Sequence, residues 1–292
     1  MSFTIVTDTS ANLPTEYVKE HDITVVPFSY YINGKESTCI DSSVFDGVQF
    51  YNSMRNGADV TTSQITPQTY MDFLKPLLDD GKDILYIGMS SGISGSFGCA
   101  VVAAAELRRK YKDRTIRLID TLAASLGEGL LVLKAVESRE QGMSLDDTAD
   151  MLKNYRKRVC QVFTVEDLKY LKKSGRLSNV AAVIGTVLNI KPLLKGNEEG
   201  KIVAYSKIRG KKRAVEALAK RYDELAVQAD TQTVCIAHAD CPEDAEYLKE
   251  LLCKNKPPKD VLTVCYEPVT GSHVGPGTLA LFFEADEHVR SK

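Results

Sequence analysis

Two hydrophobic rhythms alternate along the chain. Short β-branched runs predict strands over residues 3–6, 23–31, 84–87, 116–119, 161–164, 202–206, 233–237, 261–266 and 278–283. Between them, segments of helical period predict helices over 67–78, 96–111, 130–141, 146–157, 211–225 and 242–252. This alternation is the signature of α/β architecture, and it predicts two α/β domains with mostly parallel sheets and a ligand cleft between them. Thr66 before Pro67 is a helix start, with the threonine as N-cap and the proline in the first helical position. Asn33-Gly34 between extended runs predicts a tight hairpin at a sheet edge. Two consecutive helices, 130–141 and 146–157, break the strand–helix rhythm before it restarts at Gln161. The domain boundary is therefore placed near residue 160, giving domains 1–159 and 160–292.

Composition narrows the class without naming a function. A chain of 292 residues is comfortable for two cores. With 43% hydrophobic and 26% charged residues it reads as an ordinary globular protein. A formal net charge of −2 gives no global pull toward nucleic acid or anionic membrane. Seven cysteines, an odd number without a C-x-x-C pair, argue against a disulfide framework or zinc site and for reduced thiols in a cytoplasm. The N-terminus shows no basic region followed by an apolar stretch, so no secretory signal is expected. The apolar run 180–190 is too short to span a bilayer. A soluble, cytoplasmic protein is the expectation.

Ligands of open α/β sheets sit beyond the carboxyl ends of strands, which directs attention to the residues just after each run. There lie Asp8-Thr9-Ser10, Thr61-Thr62-Ser63-Gln64, the loop from Ser90 through Gly92, Ser94 and Gly95 to Ser96, Asp120-Thr121, and Gly271-Ser272-His273. The loop from Ser90 to Ser96 opens a long helix, so its hydroxyls and free N–H groups suit an anion. Gly92 and Gly95 are expected to adopt positive φ and let the backbone approach a ligand. The competing reading is that Ser94 or Ser96 simply caps the helix. His273, in a Gly- and Pro-rich loop, has an imidazole able to donate to an anion. Arg176 and Arg209 border glycines at element ends, and each offers the planar fork suited to carboxylate or phosphate. No His/Cys/Asp set has metal-ligand spacing.

A hydrolase reading competes. Gly88-Met89-Ser90-Ser91-Gly92 matches the G-x-S-x-G nucleophile elbow, with Asp240 and His273 following in triad order. An elbow, however, starts its helix right after the serine, whereas this loop stays open through Gly95, and no H-G-G-G segment is present. A phosphosugar-binding domain is a third reading, because glycine loops cradle phosphate.

Taken in order, these motifs resemble the DegV family of bacterial fatty-acid-binding proteins. The resemblance rests on Asp8-Thr9-Ser10 with Leu13-Pro14, Thr62-Ser63-Gln64, and the Ser90–Gly95 loop. It continues through Leu171-Lys172-Lys173-Ser174-Gly175-Arg176, Asn189-Ile190-Lys191-Pro192, Arg209-Gly210 and His273 with Gly275-Pro276-Gly277. It implies a two-domain protein enclosing one long-chain, palmitate-like fatty acid, its tail in an apolar tunnel of the N-terminal domain. The carboxylate would be held by Thr62, Ser94 and His273, with Ser63 and Gly95 beside them. The resemblance further implies a non-enzymatic subunit without cofactor, which presents its acid to a separate ATP-dependent kinase. Arg176 and Arg209 would serve that docking or the phosphate. The chain departs from the family pattern at Thr9, Ile65, Ser96-Phe97 and Thr121, which puts acyl preference in question.

Overall fold

The computed structural model describes residues 3–178 and 189–291 and arranges their strands in three sheets. The first half runs β1 (Thr4–Asp8), α1 (Thr15–Glu20), β2 (Ile23–Val26), β3 (Ser29–Ile32), β4 (Lys35–Thr38), α2 (Gly47–Arg55) and β5 (Val60–Ser63). It continues through α3 (Pro67–Asp79), β6 (Ile84–Gly88), α4 (Ser96–Lys110), β7 (Ile116–Asp120), α5 (Leu126–Glu140) and α6 (Leu145–Tyr155). Then follow β8 (Val159–Thr164), α7 (Lys169–Ser174), β9 (Ile190–Gly196), β10 (Ile202–Arg209), α8 (Lys211–Leu225) and β11 (Thr233–His238). The chain closes with α9 (Pro242–Asn255), β12 (Asp260–Cys265), α10 (Pro268–Val274) and β13 (Leu279–Glu284).

The first sheet, in the order β2-β1-β6-β7, is parallel throughout. Helices cover it because its central strands β1 and β6 are buried along their whole length, as parallel strands require. Helix α3 begins as the sequence predicts. Thr66 accepts a hydrogen bond from the Thr69 N–H at 3.1 Å, Pro67 opens the helix, and Tyr70, Leu74 and Leu78 form one buried stripe.

Three expectations change. The single strand expected over 23–31 is two, because Pro27 lacks an N–H and breaks the run. The first part stays beside β1, and the second joins a separate antiparallel sheet, β4-β3-β5. The Asn33-Gly34 hairpin is present there, with φ of 51° and 83°. The larger correction concerns the second sheet, β10-β9-β8-β13-β11-β12, in which only β11 and β12 run parallel. Residues 197–201 between β9 and β10 are too few for a crossover, so that pair must be antiparallel, whereas α9 supplies the crossover from β11 to β12.

The two larger sheets share one core. Helix α5 packs against β1 and β6 on one side and against β8, β11 and β13 on the other. One buried cluster accordingly runs from Ile5 and Leu85 through Leu126 and Leu131 to Phe163 and Phe282. A second bridge is the β9–β10 turn. The Ser90 hydroxyl donates to the Gly200 carbonyl at 2.8 Å, and a Cβ on Gly92 would lie 2.4 Å from the Glu199 carbonyl oxygen. Gly92→Val should therefore destabilise the protein by about 2–3 kcal/mol through overpacking. Thermal unfolding checks this, and an unchanged Tm would mean that the turn yields freely.

Beneath the site, at the carboxyl end of β1, two carboxyls are fully buried side by side. Asp8 accepts from the Ser10 N–H (3.0 Å), the Tyr86 hydroxyl (2.8 Å) and the Met89 N–H (3.2 Å). Ser10 Oγ lies 2.6 Å from Asp8 Oδ1 and 2.5 Å from Glu128 Oε2, while the Thr7 hydroxyl reaches Glu128 Oε1 at 3.0 Å. Burial raises both acids, and the charge on Asp8 pushes Glu128 well above the usual carboxylate range.

Candidate functional site

Edge strand β5 presents Thr62, opposite Tyr30 in the ladder, rather than leaving it in a turn. Its hydroxyl is 2.8 Å from His273 Nε2. His273 is not in a loop, as the glycines around it suggest, but in the last turn of α10. The helix forms despite its glycine and β-branched residues because Pro268 opens it and both Glu267 carboxylate oxygens cap it. They accept from the Val269 N–H at 2.6 Å and the Thr270 N–H at 2.5 Å. Asn12 Oδ1 accepts from the Glu267 N–H at 3.0 Å, and the Tyr51 hydroxyl donates to the Tyr266 carbonyl at 2.8 Å. These bonds dock the start of α10 onto the first half of the chain.

Burial, and then the nearby Arg176 cation, pull the His273 pKa down to about 4. The imidazole is thus neutral at pH 7. With the proton on Nε2 it donates to Thr62, and the Thr62 hydroxyl hydrogen is then free to turn toward a ligand.

Arg176 follows α7, which Gly175 ends in the left-handed conformation at φ 71°. The guanidinium donates to the Ser174 carbonyl, and among the described residues no carboxylate pairs with it. The neighbouring cations are paired: Arg55 with Asp240, Lys169 with Asp167, and Lys173 with Asp59. These four basic residues line one recess, whose floor includes Thr62 and His273. Arg176 is the cation there still able to take an anion.

Ser94 plays two parts. It lines the cavity, and its Oγ also accepts from the Ser96 N–H at 3.2 Å while its hydroxyl reaches Ser96 Oγ at 3.0 Å. The N-cap of α4 is Gly95, which makes no side-chain cap bond, so neither Ser94 nor Ser96 is the N-cap; Ser94 instead braces the N–H of the first helical residue. Ser96 in turn accepts from the Ile65 N–H at 3.0 Å, which ties the end of β5 to this loop. Neither Gly92 nor Gly95 has positive φ, and Gly95 sits at −71°. Gly92 is glycine for want of room beside the Glu199 backbone, whereas a Cβ on Gly95 would meet only the movable end of the exposed Gln64 side chain.

Thr62, Ser63, Ser94, Gly95, Arg176 and His273 thus meet at a cavity of about 850 Å³, counting its open mouth. Its remaining wall is largely apolar, with Phe28, Met89 and Ile93 from the first half and Phe163, Leu171 and Phe282 from the second. A cluster of polar groups in a largely apolar wall suits an amphipathic anion. Arg209 is exposed on β10 and takes no part. Residues 180–188 of the apolar run lie outside the described residues.

The hydrolase triad is not assembled. Ser90 is fully buried with its hydroxyl on Gly200, Asp240 is held by Arg55, and His273 faces Thr62. Among the described residues, no helix is long and apolar enough to cross a membrane.

Sequence reasoning passed over Ser125, Gln161 and Tyr266, which also line the cavity, as does Gln64 of the Thr62-Ser63-Gln64 motif. For Ser125, at φ 55° and ψ −144°, sequence carries no signal, because its strained backbone is set by packing. Gln161 could have been found, since it is a polar residue inside the apolar run of a strand buried throughout.

Comparison with known proteins places these features. The family model described as "Uncharacterised protein, DegV family" matches residues 2–286. A DegV domain-containing protein of Clostridium perfringens is 37% identical over 284 residues, covering 97% of this chain and 98% of that protein. A Thermus thermophilus DegV family protein, described for its fatty acid binding, superposes with a TM-score of 0.88 at 29% identity, covering 98% of this chain and 100% of that one. A fatty acid binding DegV family protein of Streptococcus agalactiae gives a TM-score of 0.85 at 31% identity, covering 98% and 99%. The chain belongs to the DegV family.

Proposed function

We propose that this protein binds one long-chain, palmitate-like fatty acid in the cavity between its sheets, in a division of the chain into domains 1–159 and 160–292. The carboxylate is held by Thr62, Ser94 and His273, with Ser63 and Gly95 beside them and Arg176 as countercharge. The tail runs along the apolar wall, which both halves supply, rather than through the N-terminal half alone. The observation that carries this reading is the Thr62–His273 pair beside an arginine without an acidic partner among the described residues, in a cavity whose wall is largely apolar. The fatty acid binding described for the Thermus and Streptococcus relatives supports it.

The role is that of a cytoplasmic, non-catalytic binding subunit without cofactor. Hydroxyls, a neutral imidazole and one partly buried arginine orient a carboxylate but offer no group that would cleave it. The basic recess shares Thr62, Arg176 and His273 with the cavity, so the carboxylate faces outward toward a cationic rim. A separate ATP-dependent kinase docking there would let a carboxylate oxygen attack the terminal phosphorus, forming an acyl phosphate and releasing ADP.

Titration with palmitate and with palmitoyl alcohol tests the carboxylate grip: the acid should saturate a single site, and the alcohol should bind far more weakly. Equal binding would remove the grip. Ser94→Ala separates ligand contact from bracing the start of α4. It is expected to weaken palmitate binding by roughly 1.5–3 kcal/mol with little change in Tm. Unchanged affinity together with a lowered Tm would leave Ser94 a brace alone.

A further inference from the structure

Gln161 is a polar side chain on β8, a strand buried along its whole length, and it is only 6% exposed. It lines the cavity on the same face as Phe163, and Phe282 stands opposite it in the β8–β13 ladder. Its amide orientation is settled by chemistry. Oε1 accepts from the Ala124 N–H at 3.2 Å, and an N–H faces only the oxygen, so the other arm is the NH2 group.

That NH2 makes no hydrogen bond among the described residues and is not fully sealed from solvent, and the residue lines the cavity. It belongs to none of the elements that hold Thr62, Ser94, Arg176 and His273, and it is bonded to none of those residues. The cavity therefore has a second polar point, a pair of donors lying over Gly196 on the side of the Arg290 guanidinium, with Phe282 on the neighbouring strand. Anchoring Ala124 explains the amide oxygen but leaves the nitrogen without a purpose. A saturated chain filling this region would strip water from the N–H groups and return no acceptor.

On the reading of the cavity as a fatty-acid site, we propose that Gln161 selects long-chain acids bearing a hydrogen-bond acceptor, a hydroxyl or oxo group, along the chain. The test is a competition panel of stearate and hydroxystearates with the hydroxyl stepped along the chain, measured on wild type and on Gln161→Leu. Wild type should prefer one hydroxyl position over stearate by roughly tenfold, the worth of one buried hydrogen bond. Gln161→Leu should lose that maximum; because it also leaves the Ala124 N–H without its acceptor, its folding is checked separately by circular dichroism and Tm. A flat wild-type panel, which needs no variant to interpret, would overturn the proposal, as would a maximum that survives in Gln161→Leu. Failure of every acid to bind would overturn the fatty-acid reading as well, whereas equal binding of all of them would remove only the role of Gln161.

Discussion

Asp8→Asn should destabilise the protein by about 3 kcal/mol, while the equally isosteric Glu128→Gln should leave it intact or stabilise it. The Ser10 hydroxyl has one hydrogen but stands within hydrogen-bond distance of both carboxyls, at 2.6 Å and 2.5 Å. One acid must therefore carry a proton and donate. The proton falls to Glu128 because each Asp8 oxygen accepts from a backbone N–H, that of Ser10 on one and of Met89 on the other, whereas the Glu128 oxygens face only hydroxyls, which can accept as well as donate. Glu128 is the proton holder. A glutamine there supplies an N–H in place of the acid O–H and keeps an oxygen for Thr7. An asparagine at position 8 turns an NH2 toward two donors and leaves them unsatisfied.

The pH dependence follows with a definite sign. Glu128 has a pKa well above its usual value of 4.5 in the fold, so its contribution is complete below pH 4.5 and is lost progressively as pH rises. Denaturant melts should show Glu128→Gln gaining on wild type between pH 5 and pH 8. A constant difference across that range would reassign the proton.

The second large effect concerns binding. Thr62→Val should weaken palmitate affinity by roughly ten- to a hundredfold, as expected for the loss of one hydrogen bond to a charged group. Valine preserves the shape of threonine on the edge strand but leaves the buried His273 Nε2 without its partner, so a loss of stability of about 1–3 kcal/mol should accompany the weaker binding. The His273 pKa, held near 4 by burial and by Arg176, should rise when a carboxylate binds beside it, because an opposite charge favours the imidazolium. NMR titration of the imidazole with and without palmitate checks this, and a pKa that stays put would place the carboxylate elsewhere.

Local chemistry that acts within a few residues was legible in the sequence. The Thr66-Pro67 helix start, the Asn33-Gly34 hairpin and the hydroxyl-rich loop before α4 all stand where their residue types require. What distant partners impose was not. Helix α10 is held by the Glu267 cap and by bonds to Asn12 and Tyr51, so the glycines around His273 read as a loop. Gly92 and Gly95 were assigned to conformational freedom, but neither has positive φ, and Gly92 answers to the Glu199 carbonyl, a contact invisible along the chain. The antiparallel second sheet was missed because β9 was not recognised as a strand, which concealed its short connection to β10. Thr62, Ser94, Arg176 and His273 were each identifiable by chemistry, yet only the fold brings them to one cavity and leaves Arg209 outside it.

Native mass spectrometry tests the central claim most directly, first on the protein as isolated from cells and then after incubation with palmitate. The account predicts a one-to-one complex with a single long-chain acid, weakened in Thr62→Val. Protein that remains at the mass of the bare chain in both measurements would contradict it.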